Sequence, residues 1–92
     1  MQFEWNPLKA ATNLKKHGVS FEEAKTVFDN PLAVIFDDEA HSIDELREII
    51  IGHSQRNRLL LVVFTERSNS IRIISTRLAN RKEREDYEQN SL

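Results

Sequence analysis

The residues best placed to do chemistry in this sequence are arginines. Between Arg67 and Arg84 stand Arg67, Arg72, Arg77, Arg81, Lys82 and Arg84 against a single Glu83. A guanidinium is planar, permanently charged and carries a fixed fork of N–H donors that matches phosphate oxygens two at a time. Several of them displayed on one sheet make a backbone-phosphate site. Taken singly, each can equally solvate a sheet edge or pair with Glu45, Glu48 or Glu66. Arg67 and Arg72 flank one turn, Ser68-Asn69-Ser70, and Arg47 opens an earlier strand. Regular alternation puts Arg72, Ile74 and Thr76 on one face, and Ile71, Ile73 and Ser75 on the other, whose parity Arg77 follows.

His53 closes the strand that Arg47 opens and shares its face. A histidine near arginines is a candidate general acid or base, and its plainer reading is a strand-end residue bonded to a backbone group. His41 stands among Asp37, Asp38, Glu39 and Asp44, but the spacing matches no metal-ligand template. That stretch reads as a solvated acidic loop on which a basic partner could dock. Lys9, Lys15, Lys16 and His17 form the polar side of a helix, either an ordinary solvated face or the extension of an RNA path. Two glycines in the whole chain exclude the nucleotide-binding fingerprints, and there is no nucleophile elbow and no His-Glu-x-x-His.

These side chains need elements to hold them. Phe3 to Trp5 reads as a short edge strand. Asn6 is an N-cap and Pro7 suits the first helical position. Leu8, Ala11 and Leu14 follow at helical spacing, and Gly18 ends the helix after Lys15, Lys16 and His17. Ser20 with Glu23 predicts a capping box for a second helix, whose buried stripe is Phe21, Ala24 and Phe28 with Val27, and which Asn30-Pro31 stops. Strands are expected at Leu32–Phe36, Arg47–His53, Arg58–Thr65 and Ile71–Thr76, with the third the most apolar and central. Short turns between them suit an antiparallel four-stranded meander. Ala79 to Gln89 predicts a terminal helix with a thin apolar face, Ala79 and Tyr87, and charge pairs Arg81/Glu85, Lys82/Asp86 and Arg84/Glu88. The expected class is α+β: N-terminal strand, two helices, meander, C-terminal helix.

The chain has 92 residues, which makes it a single domain over 1–92. It has no cysteine, so disulfides, zinc-thiolate sites and thiol nucleophiles are excluded. The longest apolar runs, Ile49–Ile51 and Leu59–Phe64, are far short of the roughly 20 residues that span a bilayer. A soluble, cytoplasmic protein is expected, with no membrane partner. The net charge of −2 argues against a generic polyanion binder. The distribution says more: an acidic middle (Asp37, Asp38, Glu39, Asp44, Glu45 and Glu48 against Arg47) precedes a basic end. Such asymmetry points to a nucleic-acid surface or a charged protein partner.

Phe3-Glu4-Trp5-Asn6-Pro7, Lys9, Asn13, Lys16-His17-Gly18-Val19, Phe21, Glu23-Ala24 and Val27-Phe28 resemble the opening of the BrnT toxin family. Glu45, Arg47, Ile51-Gly52, Leu61-Val62-Val63, Phe64-Thr65-Glu66-Arg67, Ile71-Arg72-Ile73-Ile74-Ser75, Arg77, Ala79, Glu83-Arg84 and Tyr87-Glu88 continue the resemblance over nearly the whole chain. Asn6 departs from the aspartate usual in the family, and Glu45-Leu46-Arg47 differs in detail from the usual segment. The resemblance implies a small RelE-like domain and a toxin of a type II toxin-antitoxin system. It implies a metal-independent endoribonuclease without cofactor that cleaves RNA and inhibits translation. The implied partner is a BrnA-like antitoxin with a ribbon-helix-helix DNA-binding domain, through which alone the toxin would meet operator DNA.

In such chemistry the RNA 2′-hydroxyl attacks the adjacent phosphate, and arginines offset the charge that develops. Arg67, Arg72 and Arg77 are the candidates for phosphate, with Arg47 as a fourth. His53 is the first candidate for proton transfer, and Glu45 or Glu66 the alternative. Two other classes fit the same residues: a non-catalytic nucleic-acid-binding module, and a protein-interaction subunit of a repressor complex.

Overall fold

The structure is a computed structural model that describes residues 1–39 and 45–90. His41 and Asp44 of the acidic stretch lie outside the described residues. Five strands form one sheet: β1 (Gln2–Glu4), β2 (Val34–Asp37), β3 (Glu48–His53), β4 (Leu59–Arg67) and β5 (Ser70–Leu78). Their order is β1-β5-β4-β3-β2. The last four make the expected antiparallel meander, with β4 in the middle. The N-terminal strand extends it by pairing parallel to β5 over Ser70–Arg72.

Helices α1 (Pro7–His17) and α2 (Phe21–Thr26) pack on one face of the sheet. Asn6 caps α1 by accepting from the Leu8 and Lys9 N–H groups, and Gly18 closes it at φ 70°. Helix α2 continues into a single 3-10 turn, Val27–Asp29. Val19, Phe21, Ala24 and Val27 meet Ile50, Leu60, Val62, Phe64, Ile71 and Ile73 in the main core. Full burial of each such large side chain contributes about 1.5–3 kcal/mol. Phe28 is only partly buried, and it stands edge-on to Phe3 and Phe64.

The leucines of α1 do not carry its packing. Leu8 is 79% exposed and Leu14 49% exposed. The helix meets the sheet instead through Ala10 and the buried Asn13. Strand β1 pairs with β5 only as far as Arg72, so the rest of β5 has no strand on that side. Asn13 fills that place like a piece of strand. Its carboxamide accepts from Thr76 N–H at 3.1 Å and donates to Thr76 O at 2.9 Å and Val19 O at 3.0 Å. The Ser20–Glu23 capping box is half formed. Ser20 Oγ accepts from Glu23 N–H, but the Glu23 carboxylate turns inward to Arg58 and Ser54.

The opposite, open face carries a smaller cluster. Ile51, Leu59 and Leu61 pack under Tyr87 of α3 (Arg81–Asn90), and Ile49, Val63 and Ala79 extend it. Tyr87 is the one buried residue of that helix.

An irregularity in β5 changes the predicted alternation. Val63 lies opposite Ser75, yet the next residue, Phe64, lies opposite Ile73, so Ile74 is an extra residue on β5. Such a bulge shifts the parity of everything beyond it. Arg72 lies opposite Thr65 and Arg77 opposite Leu61, and those two belong to one alternating set on β4. Directly opposed residues share a face. Arg72 and Arg77 therefore both stand on the open face, where uninterrupted alternation would have separated them.

Candidate active site

On the open face lies a cleft of about 340 Å³. Arg47, Ile49, Leu61, Val63, Arg77 and Glu83 line it, as do His17 and Asp38. Each part arrives from a different element. Arg47 immediately precedes β3 and follows the parity of Ile49. Arg77 follows the bulge. His17 is the last residue of α1, set against Ile74 and Ser75 where β5 lacks a strand neighbour.

Glu83 comes from the first turn of α3, fixed by a complete capping box. Asn80 N–H donates to Glu83 Oε1 and Glu83 N–H donates to Asn80 Oδ1, both at 2.9 Å. The carboxylate so placed takes the Arg77 fork end-on, Nη1 at 2.7 Å and Nη2 at 2.8 Å. That bond holds Glu83 below the usual carboxylate range although burial works the other way, and the Asn80 N–H helps. It also raises Arg77, against burial. Both members are charged at any physiological pH. Arg77 Nη1 spends its other hydrogen on Leu78 O. Of the five guanidinium N–H groups, Nε–H and one on Nη2 make no hydrogen bond among the described residues. Arg77 is thus immobilised and still has two donors to give a phosphate.

Arg67 and Arg72 sit farther along the same face, at the β4–β5 turn. Arg67 Nη2 reaches Glu45 Oε2 at 3.2 Å, and Nη1 of each arginine stands 4.0 Å from Glu4 Oε1. These pairs are partly exposed and make a charged rim.

The sequence model of the family described as the ribonuclease toxin BrnT of type II toxin-antitoxin systems matches residues 5–83. The chain belongs to the BrnT ribonuclease-toxin family. The crystal structure of the ribonuclease toxin BrnT from Brucella abortus is similar to it, with 25% sequence identity and a TM-score of 0.69 over 88% of this chain and 99% of that one. Among curated proteins, none matches this sequence. The family match takes in every cleft residue named above, and it ends at Glu83, before Tyr87 docks α3. Among the described residues, no helix is long and apolar enough to cross a membrane.

Within this BrnT fold His53 stands apart from the arginines. It lies opposite Leu59, six residues along the strand from Arg47, or about 20 Å. Its ring meets Tyr87 edge-on at 5.5 Å, with Nδ1 at 3.3 Å from the phenol oxygen. The hollow beside it, about 470 Å³, is lined by Asp29, Asn30 and Ser54 among others and by no lysine or arginine. The histidine that shares a cleft with Arg47 and Arg77 is His17. Sequence reasoning placed His17 on the polar side of a helix, with an RNA path as one reading, but not among the candidates for proton transfer, and it treated Glu83 as a lone acid among cations. Asn80-x-x-Glu83 is nevertheless a legible capping signal, and it is what aims Glu83 at Arg77.

Proposed function

We propose that this family member is a metal-independent endoribonuclease that arrests translation and is silenced by a BrnA-like antitoxin carrying a ribbon-helix-helix domain. The observation that supports it is the cleft in which Arg77, held end-on by Glu83, faces the same space as Arg47 and His17. The reaction is attack of the RNA 2′-oxygen on the adjacent phosphorus with loss of the 5′-oxygen. It leaves a 2′,3′-cyclic phosphate and a 5′-hydroxyl. Arg77 offers its remaining Nε and Nη2 donors to the non-bridging oxygens, and Arg47 offers charge from just ahead of β3, across β4 from Arg77. Donors fixed before the reaction stabilise the developing charge without reorganising. Arg67 and Arg72 continue the phosphate path along the rim.

Imidazole exchanges protons near neutral pH, and His17 is assigned the proton delivered to the leaving 5′-oxygen. The 2′-hydroxyl proton passes to solvent. Glu83 is a poor base, because both its oxygens are committed to Arg77 and it is held in its ionised form. Its work is to orient Arg77. His53, bonded to Tyr87, is assigned to the docking of α3 and not to the chemistry.

The test uses purified protein and single-stranded RNA in excess EDTA. Cleavage is expected, and the double variant Arg67→Ala, Arg77→Ala is expected to lose both cleavage and growth arrest. A requirement for added divalent metal would overturn the mechanism. A non-catalytic binding module would retain salt-dependent RNA binding but leave the RNA whole. Expression of the chain alone, followed by growth and RNA integrity, separates these outcomes from a subunit that acts only within a repressor complex.

A further inference from the structure

A second groove, also of about 340 Å³, runs between α1 and the half of β5 that no strand covers. Leu8, Lys9, Thr12 and Lys16 form its helix wall, and Ile74 and Ser75 its strand wall. His17, Ile74 and Ser75 also line the active-site cleft, so groove and cleft adjoin at the bulge. The groove has a fixed width, because the three bonds of Asn13 bind α1 to Thr76 and Val19. Lys9 and Lys16 lie on one stripe of the helix with Asn13 between them, about 10 Å apart along the axis. Both are exposed, and among the described residues neither has an acidic partner. That sets them apart from Arg67, Arg72, Arg77 and Arg81, each of which stands by a glutamate.

We propose that the α1–β5 groove holds the RNA strand that flanks the scissile phosphate. Lys9 and Lys16 take backbone phosphates, and the exposed Leu8 gives a base an apolar surface. The strand then crosses the bulge at His17 and enters the cleft between Arg47 and Arg77. RNA is favoured over a protein occupant because the uncompensated charge of the groove is all positive and leads directly into a site with phosphate donors. This inference rests on the ribonuclease reading of the cleft.

The test compares cleavage of a dinucleoside monophosphate, which fills only the cleft, with that of a single-stranded RNA of about ten nucleotides. In Lys9→Gln, Lys16→Gln, KM for the longer RNA should rise about tenfold with kcat unchanged, while the dinucleotide is cleaved as by the unaltered protein. Lys15→Gln, which removes the same charge from the same helix outside the groove, should leave KM for the longer RNA within about twofold. Binding of an uncleavable 2′-O-methyl RNA of the same length should lose about 1.4 from its log–log salt slope in the double variant, about 0.7 per lost phosphate contact. An unchanged slope, or equal effects of Lys15→Gln and the double variant, overturns the groove. So does an unchanged RNA affinity with lost binding of a co-expressed antitoxin, which would make this face a protein-docking surface. If the unaltered protein cleaves neither substrate, the ribonuclease reading fails, and the salt slope still decides the groove.

Discussion

Two arginine–glutamate forks stand on opposite faces of this sheet and do different work. On the helix-covered face, Arg58 donates through Nε and Nη2 to Glu23, whose carboxylate also accepts from Ser54 Oγ at 2.7 Å. Glu23 is buried, Arg58 reaches on to Gly18 O, and the cluster fastens α2 to the β3–β4 turn. Neither residue borders the cleft. On the open face, Arg77 meets Glu83 end-on through Nη1 and Nη2, where Arg58 meets Glu23 side-on, and the Arg77–Glu83 pair lines the cleft. An ion pair within a site does not by itself mark a residue as structural. What separates the two forks is access: one is shut between α2 and the β3–β4 turn, and the other opens on the cleft.

The largest effect should come from removing the accessible fork. Arg77→Ala is expected to lower kcat/KM for RNA cleavage by about 10²–10³-fold, the range for loss of one preorganised donor group at a developing oxyanion. The urea midpoint should hardly move, since the pair is partly exposed and such pairs stabilise little. Glu23→Ala should show the reverse pattern. Loss of a buried partner is expected to cost about 2 kcal/mol of folding stability, read as a lower urea midpoint, with kcat/KM near normal at a temperature where the variant is folded. Pairing with Arg58 holds the Glu23 carboxyl below its ordinary range, with the Ser54 bond in support and burial opposed. Its contribution is therefore fully present above the ordinary carboxylate value and lost as pH falls through the lowered, folded value. The gap between unaltered protein and Glu23→Ala should close in acid. If Glu23→Ala abolishes cleavage while Arg77→Ala unfolds the protein, the division between the forks is wrong.

The contrast also shows what the chain announces in one dimension. The meander, the caps at Asn6 and Gly18 and the Tyr87 dock of α3 follow from local patterns: alternation, turn residues and helix-end chemistry. So does the presence of arginines in the last two strands. The placement of those arginines was not legible, because the extra residue at Ile74 has no glycine or proline to mark it. An apolar residue in a β-branched run reads as ordinary strand, and only the register with Val63 and Phe64 shows the bulge. Leu8 and Leu14 misled for a related reason: helical spacing identifies a stripe but not the surface it faces. Asn13, polar and between them, is the residue that meets the sheet, since an unpaired strand edge needs a partner for its N–H and C=O more than it needs another methyl group. His17 and His53 are the same type in similar strand-end or helix-end settings, and only the approach of α1 to the uncovered half of β5 separates them.

A third carboxylate, without an arginine, sharpens the comparison at the smallest scale. Glu48 lies directly opposite Asp37 across the β2–β3 ladder. Burial raises its carboxyl above the ordinary range, and the nearby charges of Glu66 and Asp37 add to the rise. Like charges placed opposite one another destabilise a sheet. The sign is the opposite of that for Glu23. A carboxyl raised in the folded state favours folding while it is protonated, and stability falls as pH climbs from the ordinary carboxylate value through the raised one. Glu48→Gln should accordingly stabilise the protein at neutral pH by about 0.5 kcal/mol, seen as a higher urea midpoint. The gain should fade as pH falls from the raised value to the ordinary carboxylate value, above the range in which the contribution of Glu23 is lost. A gain of equal size at neutral and acid pH would assign the effect to packing instead of charge. Opposed pH slopes at Glu23 and Glu48 would establish that the arginine partner, and not the burial common to both, decides whether a carboxylate strengthens this sheet or strains it.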